Sequence, residues 1–199
     1  MLLRPVIVFC LFHAVLFLHG TKLCAQSLFF KQLADSAITL TTQKVQYDPG
    51  YYRIPYPGGD LPANRGVCTD VIIRAYRKVG VDLQQLIHED MQKHFTEYPP
   101  LWGMNRPDPN IDHRRVPNLA AFFRRHGVIL ALSRKAGDYV PGDIVTWDLG
   151  NGIPHIGIVV NRKNPEASRN LVVHNIGRGQ VMEDCLFVYK ITGHFRYKP

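Results

Sequence analysis

The chain has 199 residues, of which 46% are hydrophobic and 20% charged, with a formal net charge of +8. That length suits one domain with a sizeable core, and the composition excludes a disordered, collagenous or low-complexity chain. The positive balance favours an anionic partner such as cell-wall polymer or a membrane surface. No aromatic–basic interleaving points to nucleic acid, so none is expected as a partner.

Residues 1–25 read as a secretory signal peptide. Arg4 supplies a short positive region, Val6 to Leu18 is almost wholly apolar, and Thr21-Lys22-Leu23-Cys24-Ala25 leads to a cut before Gln26. The apolar run is short for a membrane span, and an uncleaved N-terminal anchor is the alternative. Export places the mature chain, a single domain over residues 26–199, in the periplasm or outside the cell. Cleavage removes Cys10 and Cys24 and leaves Cys68 and Cys185. A monomer is expected.

Residues 26–44 read as an amphipathic helix with Phe29, Leu33, Ala37 and Leu40 on one face. Residues 45–67, rich in Tyr, Pro and Gly, read as an ordered loop lining a cleft. Cys68 then opens a helix to Lys78, with Val71, Ile72, Ala75 and Val79 as its buried stripe and Arg74, Arg77 and Lys78 on its wet face. Thr69 or Asp70 can cap its first turn and Gly80 ends it. A second helical stretch covers Leu83 to Met91, and Pro99 to Pro109 is loop. After the polar cluster Asn110 to Pro117, Asn118 is expected to cap a helix over Leu119 to His126, which stops at Gly127.

From there the period changes. Val128–Leu132, Ile144–Trp147, Ile156–Val160, Leu171–His174 and Phe187–Ile191 read as strands of an antiparallel sheet. Helices first and strands later give an α+β fold.

The chemistry centres on Cys68. A thiol at a helix start feels unpaired backbone N–H groups and the positive end of the helix dipole, and both favour the nucleophilic thiolate. A nucleophilic thiol needs a base and a group to orient that base. His155 opens the strand that follows the Pro141-Gly142-Asp143 turn, and His174 ends the next strand, with Asn175 as a rival orienter. Asp70 could form an ion pair with Arg114 or Arg115. Asp112, His113, Arg114 and Arg115 form either a structural ion-pair network or a receptor for an anionic substrate group. A Cys68–Cys185 disulfide, which export permits, would leave no nucleophile. His113, His155, His174 and Asp112 lack zinc-ligand spacing, so no metal and no cofactor are expected.

In order, Gly66-Val67-Cys68-Thr69-Asp70-Val71, Pro141-Gly142-Asp143-Ile144-Val145, His155-Ile156-Gly157-Ile158-Val159 and Val172-Val173-His174 resemble the papain-like cell-wall cysteine peptidases called NlpC/P60. The resemblance runs from about residue 52 onward. It implies Cys68 as nucleophile, His155 as base, His174 as orienter and a peptidoglycan stem peptide as substrate. Tyr56-Pro57-Gly58-Gly59 is similar to the family's Tyr-x-Gly-Gly segment, whose tyrosine lies near the thiol. Val-Cys-Thr-Asp replaces the usual Asp-Cys-Ser-Gly, and Trp102 to Pro117 has no counterpart in the typical enzymes. These departures resemble an exported bacterial family of unknown function in the same superfamily.

The expected protein is therefore a thiol-dependent amide hydrolase acting through Cys68, His155 and His174, with Tyr56, Asp70, Asp112, His113, Arg114, Arg115 and Asn175 on the substrate side. The alternatives are a non-catalytic envelope-binding protein on the same fold and a metal-dependent hydrolase. A Cys68 thiol pKa near or above about 8.5 would weigh against catalysis.

Overall fold

A computed structural model describes residues 27–199, so the expected signal peptide lies outside the described residues. They form four α-helices and a six-stranded antiparallel sheet, with the helices preceding most of the strands. None of these helices is long and apolar enough to cross a membrane.

Helix α1 (27–40) buries Phe30, Leu33, Ala34, Ala37 and Leu40, a stripe at helical spacing. The following loop carries two short strands, β1 (Gln46–Tyr47) and β2 (Arg65–Gly66), paired in parallel. Helix α2 (Cys68–Lys78) is buried on all sides along its first nine residues. Val71, Ile72 and Ile73 are at most 2% exposed, and each contributes about 1.5–3 kcal/mol through burial. Arg74, expected on the wet face, is buried instead. It grips the Asp60 carboxylate and the carbonyl of Arg65, which fastens the preceding loop to the helix. Gly80 takes a φ of +82° after α2, a conformation that favours glycine.

Helix α3 (Leu83–His94) is capped by Asp82, whose side chain accepts the N–H of Gln84. Helix α4 (Val116–His126) starts three residues earlier than the Asn118 cap suggested. Pro117 fits the first turn because its missing N–H would have no partner there. Asn118 lies inside the helix and donates to the carbonyl of Asp112.

The sheet contains β3 (Val128–Ile129), β4 (Ile144–Asp148), β5 (Pro154–Lys163), β6 (Asn170–His174), β7 (Val181–Glu183) and β8 (Lys190–Arg196), in the order β3-β8-β4-β5-β6-β7. Several of these differ from the sequence reading: β3 stops at Ile129 rather than Leu132, and β5 runs over 154–163 rather than 156–160. β7 was not expected, and the last strand runs over 190–196 rather than 187–191. Residues 184–189 turn under the sheet, where Leu186 is fully buried and its carbonyl accepts the Trp147 indole N–H. One sheet face (Ile144, Ile156, Ile158, Val160, Val173, Phe195) packs on the helices in the main core. The other carries Val145, Trp147, Val159, Val172 and Leu186 in a second, smaller core.

Candidate active site

Cys68 is the first residue of α2, where extended Val67 hands the chain into the helix. Asp70 accepts the Val67 N–H at 2.7 Å, and Thr69 donates its hydroxyl to the carbonyl of Arg114. The helix start is therefore held against both its own loop and the 112–114 turn. The backbone N–H groups of Ile156, Thr69 and Cys68 all act on the Cys68 sulfur and favour the thiolate. Burial outweighs them. It pushes the thiol up to about 12, with the Asp70 charge adding to the rise. The expectation of a thiol acidified by the helix start is overturned, because desolvation of a side chain only 6% exposed exceeds the dipole effect.

His155 and His174 are brought together. His155 Nε2 and His174 Nδ1 are 2.8 Å apart, with the rings nearly perpendicular. Register and pleat explain why. Trp147 on β4 lies directly opposite His155, and both side chains stand on the sheet face away from the helices. His174 has the same parity as Val172. Between His155 and Val159 the strand carries Gly157, and a Cβ there would sit 2.7 Å from Val172 Cγ1 and 3.2 Å from His174 Cβ. The missing side chain is what lets His174 lean across β5 to His155. Burial holds both imidazoles below their ordinary pKa, so both rings are neutral at neutral pH.

The sequence reading missed the far end of this chain. Glu183 on β7 places Oε2 3.1 Å from His174 Nε2, and the Cys185 sulfur lies 3.5 Å from the same nitrogen. The signal was present in the turn Gly177-Arg178-Gly179-Gln180, which forms a hairpin and pairs β7 with β6.

The expected substrate-side residues separate into two groups. Asp70 and Arg114 form a buried ion pair, with Nε 3.1 Å from Oδ1. Burial pushes the Asp70 carboxyl up while Arg114 pulls it back. Arg114 also donates to the carbonyls of Asp48 and Gly50, so its guanidinium is spent inside the protein. Asp112 is fully buried, bound to His88 Nδ1 and the Asp108 N–H. His113 is 2% exposed, and burial holds it down to about 3. Asn175 ties the loop after β6 to the carbonyl of Gly66 and to the Gly177 N–H, and does not orient His155. Tyr56 packs edge-on against His88.

Arg115 belongs to the other group. It lines an open cleft of about 400 Å³ together with Cys68, Tyr47, Tyr51, Trp102 and Pro154. Its guanidinium stacks on the Trp102 ring at 4.2 Å and touches the Met104 sulfur. Tyr47, rather than Tyr56, is the tyrosine lining the cleft with the thiol, and burial raises its pKa. Trp102 has a φ of +61°, unusual for a non-glycine residue, and stands 54% exposed at the rim.

Cys68 and Cys185 are both free thiols. Among the described residues, no group of three or more His, Cys, Asp or Glu side chains is placed to hold a metal ion.

Residues 34–197 match the model of the family described as "Domain of unknown function (DUF1287)". The chain is also 51% identical over 165 residues to the "Uncharacterized protein YijF" of Escherichia coli (strain K12), an alignment covering 83% of this chain and 80% of that one. The matched segment holds Cys68, His155, His174, Glu183 and the whole sheet, and the chain belongs to the DUF1287 family.

Proposed function

We infer that this protein is a thiol-dependent amide hydrolase of papain-like, NlpC/P60-type architecture, with Cys68 as nucleophile, His155 as base and His174 as orienter. The observation that carries the reading is the hydrogen-bonded His155–His174 pair on the strand whose next residue, Ile156, offers its N–H to the Cys68 sulfur. His155 Nε2 is occupied by His174, and Nδ1 takes no partner among the described residues.

As Sγ attacks the amide carbonyl carbon, His155 Nδ1 takes the thiol proton. The C–N bond breaks, and the same proton passes to the leaving amine. Water then attacks the thioester and gives one proton to His155. The acid leaves, and the thiol is restored. Because the resting thiol is neutral, deprotonation accompanies attack rather than preceding it, as in a serine hydrolase. The Cys68 N–H at the helix start faces the developing oxyanion.

The cleft's aromatic and proline walls, with Arg115 facing it beside the Asp70-paired Arg114, suit a peptide bearing a carboxylate. With the net positive charge and the resemblance above, this supports a peptidoglycan stem peptide as substrate. An exported chain would meet that substrate in the periplasm or outside the cell.

The test is digestion of purified peptidoglycan and peptide-amide libraries by wild type and Cys68→Ser, with products read by mass spectrometry. New amine and acid termini from wild type alone support the reading. Absence of product from both, or equal product from both, overturns it. Activity lost on chelation and kept in Cys68→Ala would instead establish metal-dependent hydrolysis.

The raised thiol pKa favours a second reading, a non-catalytic envelope protein that binds a cell-wall fragment through Tyr47, Tyr51, Trp102 and Arg115. Stoichiometric binding of soluble muropeptides without turnover would establish it.

A further inference from the structure

We propose that Glu183 is a positioning residue that sets which nitrogens of the His155–His174 pair carry protons. The proposal rests on the reading of Cys68 and His155 above and names the control built into that same site.

The donors and acceptors around the pair determine where its protons sit. The His174 ring has both nitrogens engaged, Nδ1 with His155 Nε2 at 2.8 Å and Nε2 with Glu183 Oε2 at 3.1 Å. Burial keeps each ring neutral, so each carries one N–H. An ionised Glu183 only accepts, which puts the His174 proton on Nε2. His174 Nδ1 is then an acceptor and takes the Nε2–H of His155. His155 Nδ1 is left with a lone pair, the state a base for Cys68 requires.

The neighbouring thiol offers the opposite arrangement. Cys185 Sγ lies 3.5 Å from the same His174 Nε2, and burial pushes the Cys185 thiol up to about 12, so it remains S–H. If Cys185 donates to Nε2, the His174 proton moves to Nδ1 and points at His155 Nε2. His155 then carries its own proton on Nδ1 and cannot accept one from Cys68. Glu183 and Cys185 therefore compete for one nitrogen, with opposite results for the base. The titratable groups facing His174 are His155 from β5, Glu183 from β7 and Cys185 beyond it. Asp184, next in sequence, turns away to Arg169.

Glu183 is reachable for this test. Its side chain is 37% exposed on the edge strand β7, whereas His174 is 1% exposed. Substitution at Glu183 therefore leaves the core packing in place.

Two measurements decide the proposal. The first is the imidazole ¹⁵N spectrum of the wild-type protein. It should show His174 and His155 each protonated on Nε2, and Nδ1 protonation of either ring overturns the proposal. The second is the rate of iodoacetamide alkylation at Cys68 between pH 6 and 8, resolved from Cys185 by peptide mass spectrometry. Glu183→Ala should slow it about 10- to 100-fold, in line with the loss of an outer-shell orienting partner. Glu183→Gln, which keeps an acceptor oxygen, should recover most of the rate. Adding Cys185→Ala to Glu183→Ala should recover part of it, because the competing donor is gone. A wild-type rate in Glu183→Ala overturns the proposal. So does an equal loss in Glu183→Ala and Glu183→Gln that Cys185→Ala leaves unchanged, since a merely structural role predicts that pattern. His155→Ala separates the two levels. A wild-type alkylation rate there overturns the base reading together with this one, whereas slow His155→Ala beside fast Glu183→Ala overturns this one alone.

Discussion

Cys68 sits under opposed influences, and their sizes decide its state. Three backbone N–H groups stabilise the thiolate, while near-complete burial and the Asp70 carboxylate destabilise it more. Asp70 is tolerated two residues from the thiol because Arg114 neutralises it in a pair that is at most 3% exposed on either side. Removing Arg114 would leave that carboxylate buried without its paired cation and would release the carbonyls of Asp48 and Gly50. Arg114→Ala should therefore lower unfolding free energy by about 3–5 kcal/mol, measured by urea denaturation. A loss below about 1 kcal/mol would show that the pair contributes like an exposed one. At this scale the sequence named candidate residues but not their surroundings. The Asp70–Arg114 pair was one of two readings of a polar cluster, because residues 44 apart in sequence carry no spacing signal. Tyr56 is the tyrosine the Tyr-x-Gly-Gly resemblance implies, and nothing singles out Tyr47, since the path of a Pro- and Gly-rich loop leaves no period to read.

At the scale of elements, the site is a product of strand register. His155 and His174 stand on adjacent strands and meet only because Gly157 leaves room between them. Gly157→Ala would put a methyl group 2.7 Å from Val172 Cγ1 and 3.0 Å from the Val173 carbonyl, pushing β6 away from β5. The expected outcome is a loss of about 1–3 kcal/mol from overpacking, with a longer His155–His174 separation in the variant's crystal structure and a matching drop in hydrolysis. Unchanged stability and unchanged ring geometry would contradict this. The helices were legible from their 3.6-residue stripes, and β4, β5 and β6 from their runs of β-branched residues. β7 and β8 were less so. β7 has three residues, and β8 carries Gly193, a poor strand former, at its middle. Cross-strand packing fixes β8 instead, where the register shifts between Thr146 and Trp147 and a Cβ on Gly193 would meet Phe195 and Thr146. Because β7 was not foreseen, neither was Glu183.

For the whole molecule, buried neutral histidines make stability depend on pH. His113 has a folded pKa of about 3 against an ordinary 6.5. The unfolded chain therefore binds a proton that the folded chain refuses. This contribution is complete above about pH 6.5 and is lost as pH falls toward 3, amounting to roughly 2 kcal/mol by pH 5. His155 and His174, also lowered, act in the same direction. The denaturant midpoint should fall from pH 7 to pH 5, and His113→Gln should flatten that slope. A flat profile in the wild type would contradict the burial argument. The α+β order was readable from the whole chain because it rests on composition and the sequence of periods. The balance between dipole and desolvation at Cys68 was not, because burial depends on what packs over the thiol.

The central claim, that Cys68 forms a covalent acyl intermediate with help from His155, is tested most directly by trapping that intermediate. Wild-type protein is mixed with a peptide amide or muropeptide that it cleaves, quenched in acid within the first turnover, and analysed by intact and peptide-level mass spectrometry. The account predicts an added acyl mass on the peptide containing Cys68, released by hydroxylamine and absent from Cys68→Ser and His155→Ala. Turnover without any adduct, with Cys68→Ser hydrolysing at the wild-type rate, would contradict it.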